Sequence, residues 1–404
     1  MDDKKTIIII NDFNYVQGGA SKVAIQTAKI LKENTNYRII FFSAVNKPEE
    51  NIEGIEYIST NQNEALKEKN KLKGIINGIY NFKAKKEFKK LLLTLDRKHT
   101  IIHVHGWTKA LSSSIFDIAF KMKFKVVLTL HDYFTACPNG GYFNYKENEI
   151  CYLKPLSWKC VKCNCDSRNY AFKIYRVIRQ FVQNKIVKLN DKLEYVITIS
   201  DFSEKILKQT LNPKTKITRI YNPIDIEPSK EKIDFTKNKY YLYVGRVSKE
   251  KGVDLFCQAI TELNLEGIVV GDGSEKEKLE KEYPNIQFVG WKSSDGVKEY
   301  MKKARALVMP SRWYEAAPLT NIEALLLGVP SLVSKNCAAS DVSNEKNKNG
   351  LTFECNVESL KKCIREFENK FKNINFVQNN ILDKRKEYKN FLLKFYIEVL
   401  KWYI

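Results

Sequence analysis

Residues 308–334, Val308 to Ser334, read VMPSRWYEAAPLTNIEALLLGVPSLVS, and this run decides the fold. An apolar strand end (Ala306, Leu307, Val308) enters a polar loop; a helix is predicted over 321–327, Gly328 stops it, and a second strand follows over 329–333. Loops at the carboxyl ends of parallel strands are where open α/β sheets bind ligands. Two carboxylates bracket this loop: Glu315 lies within it and Glu323 on the first turns of the helix, with seven residues between them. Backbone N–H groups at a helix start favour anions such as phosphate. Carboxylates only accept hydrogen bonds, which suits a partner with many hydroxyl donors. Phosphate together with sugar hydroxyls points to a nucleotide-sugar.

The same alternation extends in both directions. Upstream, 6–10, 37–42, 101–105, 125–130 and 195–199 read as short Ile- and Val-rich strands, with helices over 21–31 and 109–120. A polar stretch, 222–239, carries Pro223 and Pro228 and reads as a linker. Strands then resume at 240–244, 265–270, 286–289, 306–309 and 331–333, with a helix from Val253. Alternating strands and helices imply βαβ units on parallel sheets. A chain of 404 residues exceeds one typical core, so two Rossmann-like domains are expected, over 1–222 and 240–382. Residues 383–404 close the chain as a helix with apolar spacing at Phe391, Leu392, Phe395, Val399 and Leu400.

Other strings fall at strand ends. Gly18-Gly19-Ala20-Ser21 opens the first helix, and without side chains its glycines admit a bulky ligand to the backbone. The spacing is not the G-x-G-x-x-G of dinucleotide sites, and a plain tight turn is the competing interpretation. Gly245-Arg246 ends a strand, and Lys251-Gly252 follows; an Arg fork with a Lys point charge suits a diphosphate. Gly271-Asp272-Gly273 is by itself a turn, and Gly290-Trp291 ends another strand. His131-Asp132 closes the strand 125–130, whereas His103 and His105 share an earlier one. A lone His is more often a satisfied structural residue than a catalytic one, but His131 ends a buried strand facing the expected cleft.

Together these strings resemble family 4 of the retaining glycosyltransferases, which have the two-domain GT-B fold. The resemblance rests on the E-x7-E loop with Pro310-Ser311 before it and Gly328-Val329-Pro330 after it, and on GRVSKEKG over 245–252. It implies α/β architecture with two Rossmann-like domains facing across a cleft, and a carboxyl-terminal helix returning to the first. It also implies transfer of a sugar from a nucleotide diphosphate-sugar to a hydroxyl of a glycan acceptor, most plausibly lipid-linked, in cell-surface polysaccharide biosynthesis. By the same resemblance Glu323 holds the ribose, Glu315 the donor sugar, and the backbone around Ala317, Pro318, Leu319 and Thr320 the diphosphate and sugar. Arg246 and Lys251 neutralise the leaving group, His131 contacts the donor sugar, Gly18 and Gly19 lie against the diphosphate, and Gly245, Gly271, Asp272, Gly290 and Trp291 surround the nucleotide. No D-x-D triplet is present, so no catalytic metal or other cofactor is expected. One departure is Glu315-Ala316-Ala317-Pro318-Leu319, where the family commonly has E-G-F-G-L.

Lys+Arg number 68 against 47 Asp+Glu, a net charge of +21. Nucleic acid, an anionic membrane surface and phosphorylated substrates all suit that sign. A nucleic-acid-binding α/β protein is therefore the rival from another class, but it gives no reason for the E-x7-E loop; a same-fold epimerase or phosphorylase is a third alternative, and a phosphorylase needs a pyridoxal phosphate lysine for which the sequence offers no convincing site. The amino terminus, MDDKKTIIII, is not a secretory signal and no window is long and apolar enough for a membrane span, so a cytoplasmic, soluble or peripheral enzyme is expected. Two basic amphipathic segments, 70–98 and 168–192, suit an anionic leaflet. Five cysteines fall in an insertion over 137–165. Cys160 and Cys163 have zinc-knuckle spacing, and Cys137 and Cys151 can complete a structural zinc site; reduced thiols packing a loop are the alternative.

Overall fold

A computed structural model describes residues 5–223, 233–371 and 389–399. In its first half, strands β1 (Thr6–Ile10), β2 (Arg38–Ser43), β3 (Glu56–Ser59), β4 (Thr100–Val104) and β5 (Lys125–Leu130) precede a short hairpin of β6 (Phe143–Asn144) and β7 (Glu149–Ile150). Strands β8 (Tyr195–Thr198) and β9 (Lys216–Arg219) complete a seven-stranded sheet in the order β3-β2-β1-β4-β5-β8-β9, parallel throughout. The second half forms β10 (Tyr241–Val244), β11 (Gly267–Val270), β12 (Ile286–Phe288), β13 (Ala306–Met309), β14 (Ser331–Ser334) and β15 (Gly350–Phe353). These six pair in parallel in the order β12-β11-β10-β13-β14-β15. The molecule thus contains two doubly wound Rossmann-like domains.

The central strands are continuous apolar runs because helices cover both faces of each sheet. All four isoleucines of β1 are fully buried. Each such side chain contributes about 1.5–3 kcal/mol relative to exposure. Strands β3, β9 and β15 escaped the sequence analysis: β3 and β9 are half-solvated edges with alternating polar residues. The predicted helix over 109–120 is shorter, Ser114–Lys121. Its intended first turn is held as a loop, since the buried carboxylate of Asp12 accepts the N–H groups of Lys109, Ala110 and Leu111 at 2.9 Å each. The helix expected over 321–327 begins earlier, as Leu319–Leu326.

Half of the linker 222–239, residues 224–232 with Pro228, lies outside the described residues. So do residues 372–388 and 400–404, including Leu400 of the predicted final helix. The described part, 389–399, is helical, and its Leu392, Phe395, Tyr396 and Val399 pack with Ile7, Ile9, Ile101 and Val127 of the first sheet. Phe391, expected on that face, is instead 49% exposed.

The second basic segment, 168–192, differs from its expectation as an outward cationic face. Its main helix is Tyr170–Phe181, and Lys173 and Arg179 are buried on it. Arg179 donates to the Pro138 carbonyl at 3.1 Å, and Arg176 pairs with the fully buried Asp166 at 2.9 Å while donating to the Asn139 carbonyl. These cations hold the Cys-rich insertion in place. The first basic segment, forming helices Lys71–Ile79 and Phe82–Leu92, keeps its lysines outward except Lys85, which pairs with the buried Asp117 at 2.7 Å.

Candidate active site

In a doubly wound sheet the loops diverge where strand order reverses, opening a crevice at the strands' carboxyl ends. The reversal lies between β10 and β13 in the second sheet and between β1 and β4 in the first. The two carboxyl edges face each other. Ser200, just after β8, donates to the Ala316 carbonyl at 2.5 Å, and the Asp341 carboxylate accepts the Phe202 N–H at 2.9 Å. Tyr314 packs against Tyr133, Tyr142 and Phe202, with ring centroids 6.2, 6.1 and 5.6 Å away.

The loops after β10 and β13 meet across the second reversal point. The Lys251 ammonium pairs with Glu315 Oε1, and Ser311 donates to the other carboxylate oxygen. Both charged side chains are largely shielded, 16% and 14% exposed, and Lys251 Nζ lies 5.3 Å from the centre of the Trp313 ring. Arg246 stands nearby with its side chain 60% exposed, one arm held by the buried Glu250 at 2.8 Å. Ser248 donates to the same Glu250 oxygen at 2.8 Å, and the Glu250 carbonyl accepts from Arg312 and Trp313. Glu250, Ser311 and Trp313 were missed in sequence, since their role is to position Arg246, Lys251 and Glu315.

The helix Leu319–Leu326 starts at Pro318 with no side-chain cap, so its first-turn N–H groups remain available to an anion. Glu323 lies one turn further on. Ala316 is buried in the first domain's core cluster, and Ala317 packs against that cluster. The Ala316 methyl, which stands where the family commonly has a glycine, and the Ala317 methyl, which stands where it has Phe, therefore dock the loop across the cleft.

Three glycine loops, after β10, β11 and β12, pack against one another. Gly245 (φ 153°) and Gly271 (φ 142°) adopt backbone conformations disfavoured by side chains, and a Cβ on Gly271 would lie 1.9 Å from the Gly245 carbonyl oxygen. Asp272 accepts the Trp291 N–H at 2.8 Å and a bond from Lys276 at 3.0 Å, joining the loops after β11 and β12. Gly290 (φ 68°) makes that turn, and the Trp291 ring is 74% exposed.

On the first domain's edge, Gly18 caps the helix Gly19–Asn34, whose Ser21 hydroxyl accepts the Gln17 and Gly18 N–H groups. A Cβ on Gly18 or Gly19 would meet nothing within 4 Å, so packing demands neither glycine. His131 follows β5 and His105 follows β4; His105 Nδ1 and His131 Nε2 are 3.0 Å apart. His103 lies fully buried behind them, bonded to Thr129 at 2.7 Å and to the Tyr396 hydroxyl of the final helix. Burial, joined by the neighbouring His131, lowers the His103 pKa to about 3, and burial lowers that of His131 to about 3. Burial raises the adjacent Asp132 carboxyl to about 6, opposed by its bond from the Phe134 N–H. Asp12, which ties the loops after β1 and β4, was also missed in sequence.

Of the proposed zinc ligands, Cys137 and Cys160 are buried, and Cys151 and Cys163 are partly exposed. Cys137 donates to Asn139, and the buried Lys173 Nζ lies 3.5 Å from Cys160 Sγ and 3.2 Å from Cys165 Sγ. Among the described residues no group of three or more His, Cys, Asp or Glu is arranged to hold a metal ion. The insertion reaches across the cleft, where a Cβ on Gly141 would meet the Trp313 ring at 2.9 Å.

Comparison with known proteins bears on the fold. Residues 17–228 match the family model Glycosyltransferase Family 4, and residues 225–381 match Glycosyl transferases group 1. A 41.2 kDa protein in the cps region of Klebsiella pneumoniae is 28% identical over 58% of this chain and 67% of its own length. Two further curated relatives are spanned over 64% and 49% of their lengths. Among solved structures, Anabaena Alr3699/HepE in complex with UDP-glucose superposes with a TM-score of 0.63 at 16% identity, covering 98% of this chain and 99% of that one. The lipopolysaccharide outer core galactosyltransferase WaaB superposes with a TM-score of 0.61 at 15% identity, covering 98% and 99%. These likenesses establish the GT-B architecture.

Proposed function

The chain belongs to glycosyltransferase family 4, with the group 1 domain as its second half, and from that premise we propose that it moves a sugar from a nucleotide diphosphate-sugar to a hydroxyl of a glycan acceptor, with retention of configuration and without a catalytic metal. The observation that carries this proposal is the conjunction at the second reversal point: Lys251 paired to Glu315 beside an uncapped helix start and the exposed fork of Arg246. The diphosphate sits at the helix start, and its charge competes with Glu315 for Lys251. That exchange releases a Glu315 oxygen to accept a donor-sugar hydroxyl, while Glu323 accepts from the ribose. Charge on the departing diphosphate is met by Arg246, Lys251 and backbone N–H groups already in place, the kind of preorganised stabilisation that dominates such reactions. The leaving phosphate takes the acceptor's proton on the same face of the sugar.

The acceptor side favours a lipid-linked glycan in cell-surface polysaccharide assembly, in keeping with the relative from a cps region and the resemblance to a lipopolysaccharide galactosyltransferase. On the first domain, Leu72 and Phe82 are 68% and 65% exposed among Lys71, Lys73 and Lys83, an apolar and cationic surface that suits an anionic leaflet. No described helix is long and apolar enough to cross a membrane.

The deciding experiment is thermal stabilisation by UDP, GDP, ADP and CMP, with and without EDTA, in wild type and Glu323→Ala. One nucleoside diphosphate that raises the melting temperature of wild type alone, unaffected by EDTA, supports a metal-independent transferase and names its donor. No shift from any nucleotide, with tight salt-sensitive binding to oligonucleotides, would replace this proposal with the nucleic-acid alternative.

A further inference from the structure

A neutral imidazole carries one proton on one of its two nitrogens, and its bonding partners decide which. His105 Nδ1 and His131 Nε2 face each other at 3.0 Å with the rings inclined by 25°, so one proton lies between them. His105 is 3% exposed, and its other nitrogen, Nε2, is buried with no partner. Were the His105 proton on Nε2, an N–H group would be buried without an acceptor, the rarer and costlier orphan. With the proton on Nδ1 the bond to His131 is made and only a lone pair is left over. The His131 Nε2 then accepts, and its own proton resides on Nδ1. Burial keeps both rings neutral: it lowers His131 to about 3 and, with the neighbouring histidines, His105 well below its ordinary value. His103 lies against His105, with centroids 4.1 Å apart, and is itself fixed by Thr129 and Tyr396.

We propose that His105 is a positioning residue that locks His131 as a neutral Nδ1–H donor toward an oxygen of the donor sugar, so that His131 contributes a hydrogen bond and does not act as a base. The locked tautomer is a property of the protein alone; its use on a sugar rests on the transferase reading above.

The test is long-range proton–nitrogen NMR of the full chain labelled at its four histidines. The signal lost in His131→Gln identifies residue 131. Wild type is expected to show it as the Nδ1–H tautomer. His105→Phe, which keeps a ring but no donor, is expected to shift it to Nε2–H or a mixture. His105→Asn, whose amide N–H can stand near the lost Nδ1–H, is expected to restore it. An Nε2–H signal in wild type overturns the proposal, and so does a His131 signal that His105→Phe leaves unmoved. The wild-type spectrum decides the tautomer even if a variant does not fold. A locked Nδ1–H tautomer in a protein that no nucleotide stabilises would defeat the transferase reading while leaving the lock standing.

Discussion

Removing Lys251 tests the centre of the site, because its partner cannot reach solvent to compensate. In Lys251→Met the Glu315 carboxylate keeps only the Ser311 hydroxyl and remains 14% exposed. Breaking one side of a shielded ion pair costs about 3–5 kcal/mol, and the retained Ser311 bond places this case near the lower end, at about 3 kcal/mol. Glu315→Gln strands the lysine in turn but keeps an acceptor for Ser311, so about 2 kcal/mol is expected. The double variant has no charge to strand and is expected to lose about 3 kcal/mol in total, which leaves a coupling of about 2 kcal/mol. The assay is urea unfolding by tryptophan fluorescence, with the second domain's transition separated from the first's. Single-variant losses that add within about 0.5 kcal/mol would show that the two side chains do not share a pair, and the switch of Lys251 from Glu315 to a diphosphate would fall with it.

Gly271→Ala is expected to destabilise the second domain by about 2 kcal/mol or more, since the new methyl meets the Gly245 carbonyl at φ 142°; a urea midpoint equal to wild type would contradict that. Gly19→Ala is expected to leave stability unchanged or raise it by up to about 1 kcal/mol, as a methyl there meets nothing, while reducing the nucleotide-induced melting shift. Acid is expected to weaken the fold. The unfolded chain protonates histidine below about 6.5, whereas His103 and His131 resist until about 3, so their stabilisation is full above 6.5 and lost as pH falls. Asp132, raised to about 6, acts in the opposite sense between pH about 4 and 6, because the native state holds a proton that the unfolded chain has released. Asp132→Asn therefore steepens the acid loss by up to about 1.4 kcal/mol per pH unit in that window, measurable as urea midpoints from pH 7 to 5.

The second-domain half of the candidate site was legible in sequence as a place in the fold, because its backbone is local. A strand, a loop and a helix start set the backbone, and Glu315, Ala317, Pro318, Leu319, Thr320 and Glu323 all lie within nine residues. The strings around Arg246 and Lys251 were legible for the same reason, and parallel pairing of β10 with β13 brings them to Glu315. Groups that hold those residues from a distance gave no such signal. Asp12 is one polar residue after an isoleucine run, and only the fold reveals that it binds N–H groups nearly a hundred residues later. Lys173 sits in a lysine-rich amphipathic helix like any surface cation, yet the turns of the Cys-rich insertion enclose it among sulfurs.

The histidines carry that argument furthest. In β4 the string Ile-Ile-His-Val-His looks like a buried strand with two polar interruptions, and strand periodicity puts His103 and His105 on one face without saying what either meets. His103 is satisfied by Tyr396, 293 positions away on the helix that returns from the second domain. His105 meets His131, 26 positions away, through its Nδ1. The carboxyl-terminal helix is thus more than a cover for the first sheet: its tyrosine fixes the buried histidine on which His105 leans, and His105 fixes His131. Contacts of this kind depend on the tertiary fold, and they place the orientation of His131 under the control of a segment that no local motif connects to it.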